Sequence, residues 1–266
     1  MGRIGWVGFG ILAAAAFVGC GDGPDSGTGG AGGGGGRGGA GGAVFETFVS
    51  FANVVVGDGV ASTDVAVVLR DEEIESDLAY QSIAERRKVR LFDATEDVTA
   101  EARLDATGDN LTPGASIPLV SDAPSTVYLI GDVDGAAPSA SPRWLTLPTL
   151  TPPEAGTFRM RAIHALVGVD AAVDVYANGV VFSDLPYGAA SEPVDATVGA
   201  PGTDSLVVTE AGVPPNEETD LFRASGESLF ETDGRYDLVI SHEGTNLNGD
   251  INGAITVWIA TIAENE

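Results

Sequence analysis

The chain has 266 residues, 44% of them hydrophobic, with 13 basic against 39 acidic side chains and a formal net charge of -26. So acidic a chain excludes a nucleic-acid-binding role, which rests on Lys and Arg neutralising phosphates, and argues against docking of the protein surface on anionic lipid. Its hydrophobic content and recurring Val-rich runs exclude a disordered chain.

Residues 1–19 read as a signal peptide. Arg3 supplies the positive start, and the apolar stretch from Ile4 to Val18 is shorter than the ~20 residues a membrane helix needs. It ends in Phe17-Val18-Gly19-Cys20, which resembles the lipobox of bacterial lipoproteins, with Phe17 where Leu is usual. That resemblance implies lipidation of Cys20, the sole cysteine, and attachment to the membrane through it. Gly21 after the cysteine resembles the outer-membrane default of lipoprotein sorting. With one cysteine there is no intrachain disulfide to support the fold. Residues 20–43 follow as a Gly-rich tether, whose r.m.s. span is about 25 Å for a flexible coil of this length.

Two similar stretches of chain come next, predicted as domains at 44–149 and 156–263. The segment Ser183 to Glu192 repeats Ser76 to Glu85, sharing Ser, Asp, Leu, Tyr and Glu in order. Asp64-Val65 matches Asp174-Val175, Thr47-Phe48 matches Thr157-Phe158, and Leu129-Ile130 matches Val239-Ile240. Such self-similarity marks a duplicated unit.

In the first unit Val49, Phe51 and Asn53 alternate onto one face, as do Val65, Val67 and Leu69, while Val54 to Val56 and Val127 to Ile130 read as fully buried runs. Pro148, Pro152 and Pro153 punctuate a short linker. In the second unit Phe158, Met160 and Ala162 alternate with Arg159 and Arg161, and Asn178-Gly179 predicts a tight hairpin. Further strands are expected at 194–198, 205–209, 236–241 and 254–262. No amphipathic helix is expected beyond the leader. Short strands at regular spacing predict an all-β protein made of two tandem β-sandwich, immunoglobulin-like domains.

The run from Met160 to Glu192 is similar to the family named domain of unknown function 4397, in the elements His164-Ala165, Asp174-Val175-Tyr176, Asn178-Gly179 and Leu185-Pro186-Tyr187-Gly188. The first unit retains Asn53, Asp64-Val65 and Leu78-Ala79-Tyr80, has Gln81 in place of the turn glycine, and carries a longer acidic hairpin. The resemblance implies an exported or surface lipoprotein and transfers no activity and no catalytic residues.

Candidate sites are few. His164 and His242 are the only histidines, and both fall in strands, which makes a histidine metal site unpromising. Asn248, Asp250 and Asn252, followed by Gly253, have the spacing of the start of a calcium loop, but the closing Glu is missing and Ile259 stands in its place. Arg86, Arg87, Lys88 and Arg90 form the one basic cluster, either a grip for an anionic glycan or phosphate or a charged edge strand that discourages aggregation. Tyr80 and Tyr187 recur at equivalent places, as packed corners or as ligand contacts. No cofactor motif is present. The sequence therefore predicts a membrane-anchored, non-catalytic binding or structural module of the cell envelope with a protein or glycan ligand. The alternative is a hydrolase or carbohydrate-binding module acting on cell-wall or extracellular polymer.

Overall fold

A computed structural model describes residues 44–57, 64–133, 141–169, 171–242 and 255–262. The predicted leader, Cys20, the glycine tract and the segment holding Asn248, Asp250 and Asn252 lie outside the described residues. Within residues 43–266 the chain forms a single compact unit.

The described chain is all β. The first repeat contributes β1 (Phe45–Val56), β2 (Val65–Leu69), β3 (Glu72–Leu78), β4 (Ser82–Ile83), β5 (Arg87–Leu91), β6 (Thr95–Leu104), β7 (Ser116–Val120), β8 (Ser125–Asp132) and β9 (Arg143–Pro148). The second contributes β10 (Thr157–His164), β11 (Val173–Ala177), β12 (Val180–Leu185), β13 (Val194–Thr197), β14 (Asp204–Glu210), β15 (Phe222–Glu227), β16 (Arg235–His242) and β17 (Ile255–Thr261).

These strands build four sheets. β3-β2-β6-β7 packs on β4-β1-β8-β9, to which β5 adds by pairing with β1. β12-β11-β14-β15 packs on β13-β10-β16-β17. The topology is the same in the two repeats. Each central pair, β1 with β8 and β10 with β16, is parallel, while the other pairings are antiparallel. Where the first repeat has β4, the second has a single bridge from Ile163 to Ala190.

Each repeat is thus a sandwich, and the two sandwiches stack through their inner sheets. The burial patterns follow from that arrangement. β6 and β7 alternate between exposed and buried residues, because one face meets water. β8 and β16 are buried at every position, because both of their faces are covered. The seam between the inner sheets is filled by Ala52, Val54, Tyr128 and Ile130 from one side and Ile163, Ala165 and Val239 from the other.

The seam is built from the same surface of both repeats. Asn53 and His164 are structurally equivalent: each carbonyl accepts the amide of the turn position, Gln81 or Gly188, and each side chain accepts an amide two residues on. From that anchor, the row Ala52, Tyr128, Leu145 corresponds to the row Ile163, Val239, Trp258. Val56 corresponds to Val167, and these two pack together at the seam's end. This is the geometry of an isologous dimer interface, realised inside one chain.

The same anchor corrects the sequence matching. Thr47-Phe48 and Thr157-Phe158 are one residue out of step: Phe48 is 40% exposed and Phe158 is wholly buried. Leu129 likewise corresponds to Ile240, its neighbour in the row of Asn53 and His164. In β2, Val65 corresponds to Val173, since each pairs with the leucine that ends its hairpin. The longer first hairpin keeps a two-residue turn, Arg70-Asp71, with both φ angles positive as at Asn178-Gly179. Its extra length is absorbed by register shifts between β2 and β3, and Glu72 and Glu73 belong to β3.

A fully buried polar cluster crosses the middle of the seam. Asp237 on β16 receives two bonds of 2.8 Å from Arg161 on β10 and one of 2.5 Å from the Tyr128 hydroxyl on β8. Asp237 is 0% exposed and Arg161 3%. Arg161 also donates to the Pro148 carbonyl, Arg235 to that of Leu150, and Arg159 bonds Thr151. Three arginines of the second repeat therefore fix the linker that the prolines punctuate. Burial, reinforced by the Asp237 charge, holds the Tyr128 hydroxyl in its neutral form well beyond the usual tyrosine range.

Asp237→Ala leaves Arg161 buried and unpaired, and the expected loss of stability is about 3–5 kcal/mol. Because the seam is shared, the two sandwiches are expected to unfold in a single transition in both proteins. Urea titration followed by fluorescence and by far-UV circular dichroism checks this through coincident curves.

Candidate functional site

The parallel strands set a polarity. β1, β8, β10 and β16 all end at one pole, as the Val56–Val167 contact and the proximity of Tyr80 to the end of β16 show. The chain enters β1 at the other pole. The first pole therefore holds the far end of the seam, with both recurrent tyrosines.

There the two repeats use equivalent positions differently. The Tyr80 hydroxyl donates to the His242 carbonyl at 2.7 Å, and burial raises its pKa. Gln81 donates through Nε2 to Ser241 Oγ and to the same carbonyl, each at 3.1 Å. Gln81 has φ of 53°, the left-handed conformation its counterpart Gly188 adopts at 75°. That conformation costs a non-glycine residue roughly 1–2 kcal/mol, which the bonds across the seam offset. In the second repeat Arg143, from β9 of the first, lies over the Tyr187 ring with its Cζ 4.9 Å from the centroid. A Cβ on Gly188 would sit 1.9 Å from Arg143 Nη2, so a larger residue there would push the guanidinium off the Tyr187 ring, besides being strained at that φ.

His164 meets the Tyr187 ring edge-on at 5.7 Å. Its Nδ1 accepts the Leu166 amide and its Nε2–H donates to the Ala171 carbonyl, both at 3.3 Å, which fixes a neutral tautomer. Burial lowers its pKa. His242 bonds the Val167 carbonyl through Nε2 at 2.9 Å, and among the described residues its buried Nδ1 has no hydrogen-bond partner. Both histidine side chains bond the backbone of the second repeat, and among the described residues no three His, Cys, Asp or Glu side chains are grouped to hold a metal. Asp64, Glu73, Asp77 and Asp105 crowd near this pole, and the Asp77 carboxylate above all raises the pKa of Asp105.

The basic cluster lies towards the other pole and is divided. Arg87 pairs with Glu75 at 3.2 Å and Lys88 with Glu46 at 2.5 Å. Arg86 stacks over Phe48 at 4.3 Å, where desolvation and the charge of Arg235 lower its pKa. Arg90 is exposed. β5 pairs only with β1 among the described strands and is an edge strand.

A groove of about 320 Å³ follows the linker, lined among others by Leu147, Leu150, Arg159 and Pro193. Its guanidinium groups are engaged: Arg159 makes a two-toothed pair with Asp195 at 2.6 and 2.9 Å, and Arg161 is held by Asp237. The hydrogen bonds from Arg159 are the main reason that the Asp195 pKa is lowered.

Sequence reasoning found the tyrosines and the basic run but missed the Tyr128–Asp237–Arg161 cluster and Arg143. The available signal was a pair of charged residues, Arg161 and Asp237, set inside otherwise apolar strands.

No protein-family model matches the chain, and no curated protein matches its sequence. Among solved structures, the fimbrial anchor protein Mfa2 from Porphyromonas gingivalis aligns over 83% of this chain and 100% of its own, at 8% identity and a TM-score of 0.21. A protein from Bacteroides ovatus described as "a putative adhesin" aligns over 84% of this chain and 96% of its own, at 12% identity and the same TM-score. Likeness at that level carries no argument about this chain's partners.

The pH dependence of stability tests the His164 environment. The unfolded chain takes up the histidine proton near pH 6.5, and the folded chain only at lower pH. The His164 contribution is complete above about pH 6.5 and is lost as the pH falls from there towards the folded pKa. His164→Asn, which copies Asn53, is expected to keep the bond to the Leu166 amide and to lose less stability than the wild type between about pH 7.5 and 5.5. Urea midpoints across that range measure the difference.

Proposed function

We propose that the chain is an envelope lipoprotein anchored through Cys20, related to the domain of unknown function 4397, whose double sandwich is a non-catalytic binding or structural module. Polarity supports the reading most directly. The chain enters β1 at the pole opposite to the seam end where Tyr80, Tyr187 and Arg143 gather. A body tethered by its N-terminal side presents that far end away from the membrane. The seam supports it as well: two sandwiches locked by a buried polar cluster form one rigid presenting body rather than two beads on a string. In this reading the pole around Tyr187 and Arg143 faces a protein or glycan ligand outside the membrane, Tyr80 braces it through the seam, and the glycine tract sets the reach.

Two measurements test the proposal. Mass spectrometry of the mature N-terminal peptide is expected to find a lipid-modified Cys20 as its first residue. An unmodified Cys20 removes the anchor. A pull-down from envelope extract is expected to recover a partner that Tyr187→Ser together with Arg143→Ser releases, by tenfold or more if these residues form an interface hot spot of roughly 2 kcal/mol or above. Release of soluble sugar from cell-wall polymer by the purified protein would favour the hydrolase instead.

A further inference from the structure

At the pole where the chain enters, β1 and β5 present a face unlike the rest of this acidic molecule. Their antiparallel register sets Glu46 opposite Arg90 and Phe48 opposite Lys88. Val44 and Phe92 flank the end of the pair, and Arg86, just before β5, lies over the Phe48 ring. Alternate residues of both strands point the same way. Three of the five exposed large hydrophobic residues among those described lie here: Val44 at 57%, Phe48 at 40% and Phe92 at 77% exposure. Between them stand Arg86, Lys88 and Arg90, with Glu46 as the one carboxylate of the two-strand face. A fourth cation, Arg70, lies over the Phe92 ring at 4.7 Å and pairs with Glu96. Arg86 and Arg90 make no ion pair with any described residue, in a chain with three times as many acids as bases.

The fold does not require this face. The equivalent place in the second repeat, where β10 pairs with β13, carries Thr157, Thr197 and the mutually neutralised pair Arg159 and Asp195. Edge protection asks only for charge on β5 and gives no reason for exposed Phe48 and Phe92. Aromatic rings interleaved with cations are the side chains that settle at a membrane–water interface: the rings enter the headgroup zone and the cations meet phosphate.

We propose that this β1–β5 face, through Val44, Phe48, Arg86, Lys88, Arg90 and Phe92, docks on the anionic phosphate headgroups of the membrane to which the chain is tethered. Two observations choose that occupant. The chain outside the described residues enters immediately before Val44, so the face lies at the root of the tether. Its charge is also complementary to phosphate where the molecule as a whole is not. The net charge of -26 does not forbid the contact, because at physiological salt charges beyond about 8 Å are largely screened and the patch acts locally. Such a patch is weak alone. It becomes effective because the tether holds it at high local concentration beside the surface. The proposal deepens the lipoprotein reading and rests on it for the identity of the surface.

Hydrogen exchange on the full lipidated chain, reconstituted in vesicles, tests it. In phosphatidylglycerol-containing vesicles at low salt, amides 86–92 are expected to exchange several-fold more slowly than in pure phosphatidylcholine vesicles, and to recover at about 0.5 M salt, where the Debye length is only a few ångströms. Residues 194–197 of β13 serve as the internal control and are expected not to change. The triple variant Arg86→Ser, Lys88→Ser, Arg90→Ser and the single variant Phe92→Ser are each expected to abolish the difference while keeping the wild-type circular dichroism spectrum. Equal rates in the two vesicle types, no effect of either variant, or equal slowing by soluble polyphosphate would overturn the proposal. Flotation separates it from the anchor. A chain that fails to float with phosphatidylcholine vesicles is not lipid-anchored, whereas slowing by added phosphatidylglycerol vesicles would then still support the face.

Discussion

Strands β1, β8, β10 and β16 lie between two layers of protein, and over most of their length neither face meets water. Any polar group on them must be answered from within, because an unpaired buried charge is among the costliest defects a fold can carry. Asp237 is answered three times, by both arms of the Arg161 fork and by the Tyr128 hydroxyl. Its partners come from β10 and β8, so the cluster is completed only when the two sandwiches are in register. Apolar stacking of valines and alanines would bring the sheets together in many offsets. The carboxylate picks one, and the prolyl and leucyl carbonyls of the linker then receive Arg161 and Arg235.

Duplication explains the apolar part of the seam and not the polar part. An isologous surface needs only to fit itself, and Ala52, Val54 and Val56 face Ile163, Ala165 and Val167 on that principle. Once two copies share a chain, each side is free to diverge, and the polar devices do. The positions equivalent to Tyr128 and Asp237 are Val239 and Thr126. The turn filled by Gly188 beneath Arg143 is filled by Gln81 reaching to Ser241. Each substitution makes sense only against the other repeat, so both halves have become specific to their own side of the seam.

What could be read beforehand depended on how narrowly chemistry fixes each position. The turn segments aligned correctly, Ser76 to Glu85 with Ser183 to Glu192, because a left-handed backbone and a contacting tyrosine admit few residues. The strands aligned one or two residues out of step, because a doubly buried strand asks only for small apolar side chains and many registers satisfy that. A one-residue slip turns every side chain to the opposite face, which is why Phe48 was matched with a core phenylalanine although it faces outwards. Alternation in β10 predicted its inward face, Phe158, Met160 and Ala162, correctly. The continuous runs at Val54 to Val56 and Val127 to Ile130 were read as buried, and their fuller meaning was a second covered face. A run that cannot afford a polar side is the sequence trace of stacked sheets, and charged residues inside such runs mark where the stack is locked.

The distribution of charge also distinguishes the two ends of the scaffold. A chain with 39 carboxylates could disperse its basic groups among them, and most ion pairs here do so at the surface, where each contributes little. Surface pairing alone would leave no cation near an aromatic ring. Instead Arg86 and Arg70 lie over Phe48 and Phe92, towards the pole where the chain enters, and Arg143 lies over Tyr187 at the opposite pole. Guanidinium–ring contacts are worth most where water is excluded, and two of these three rings, Phe48 and Phe92, stand open to solvent in the isolated chain. A stacked cation on an exposed ring is therefore only partly stabilised until something covers the ring. The entry pole carries two such open pairs. The far pole carries its pair half-sheltered by the seam. Both ends of the double sandwich thus hold contacts that a covering partner would strengthen, and the seam between them joins the two ends in one compact unit.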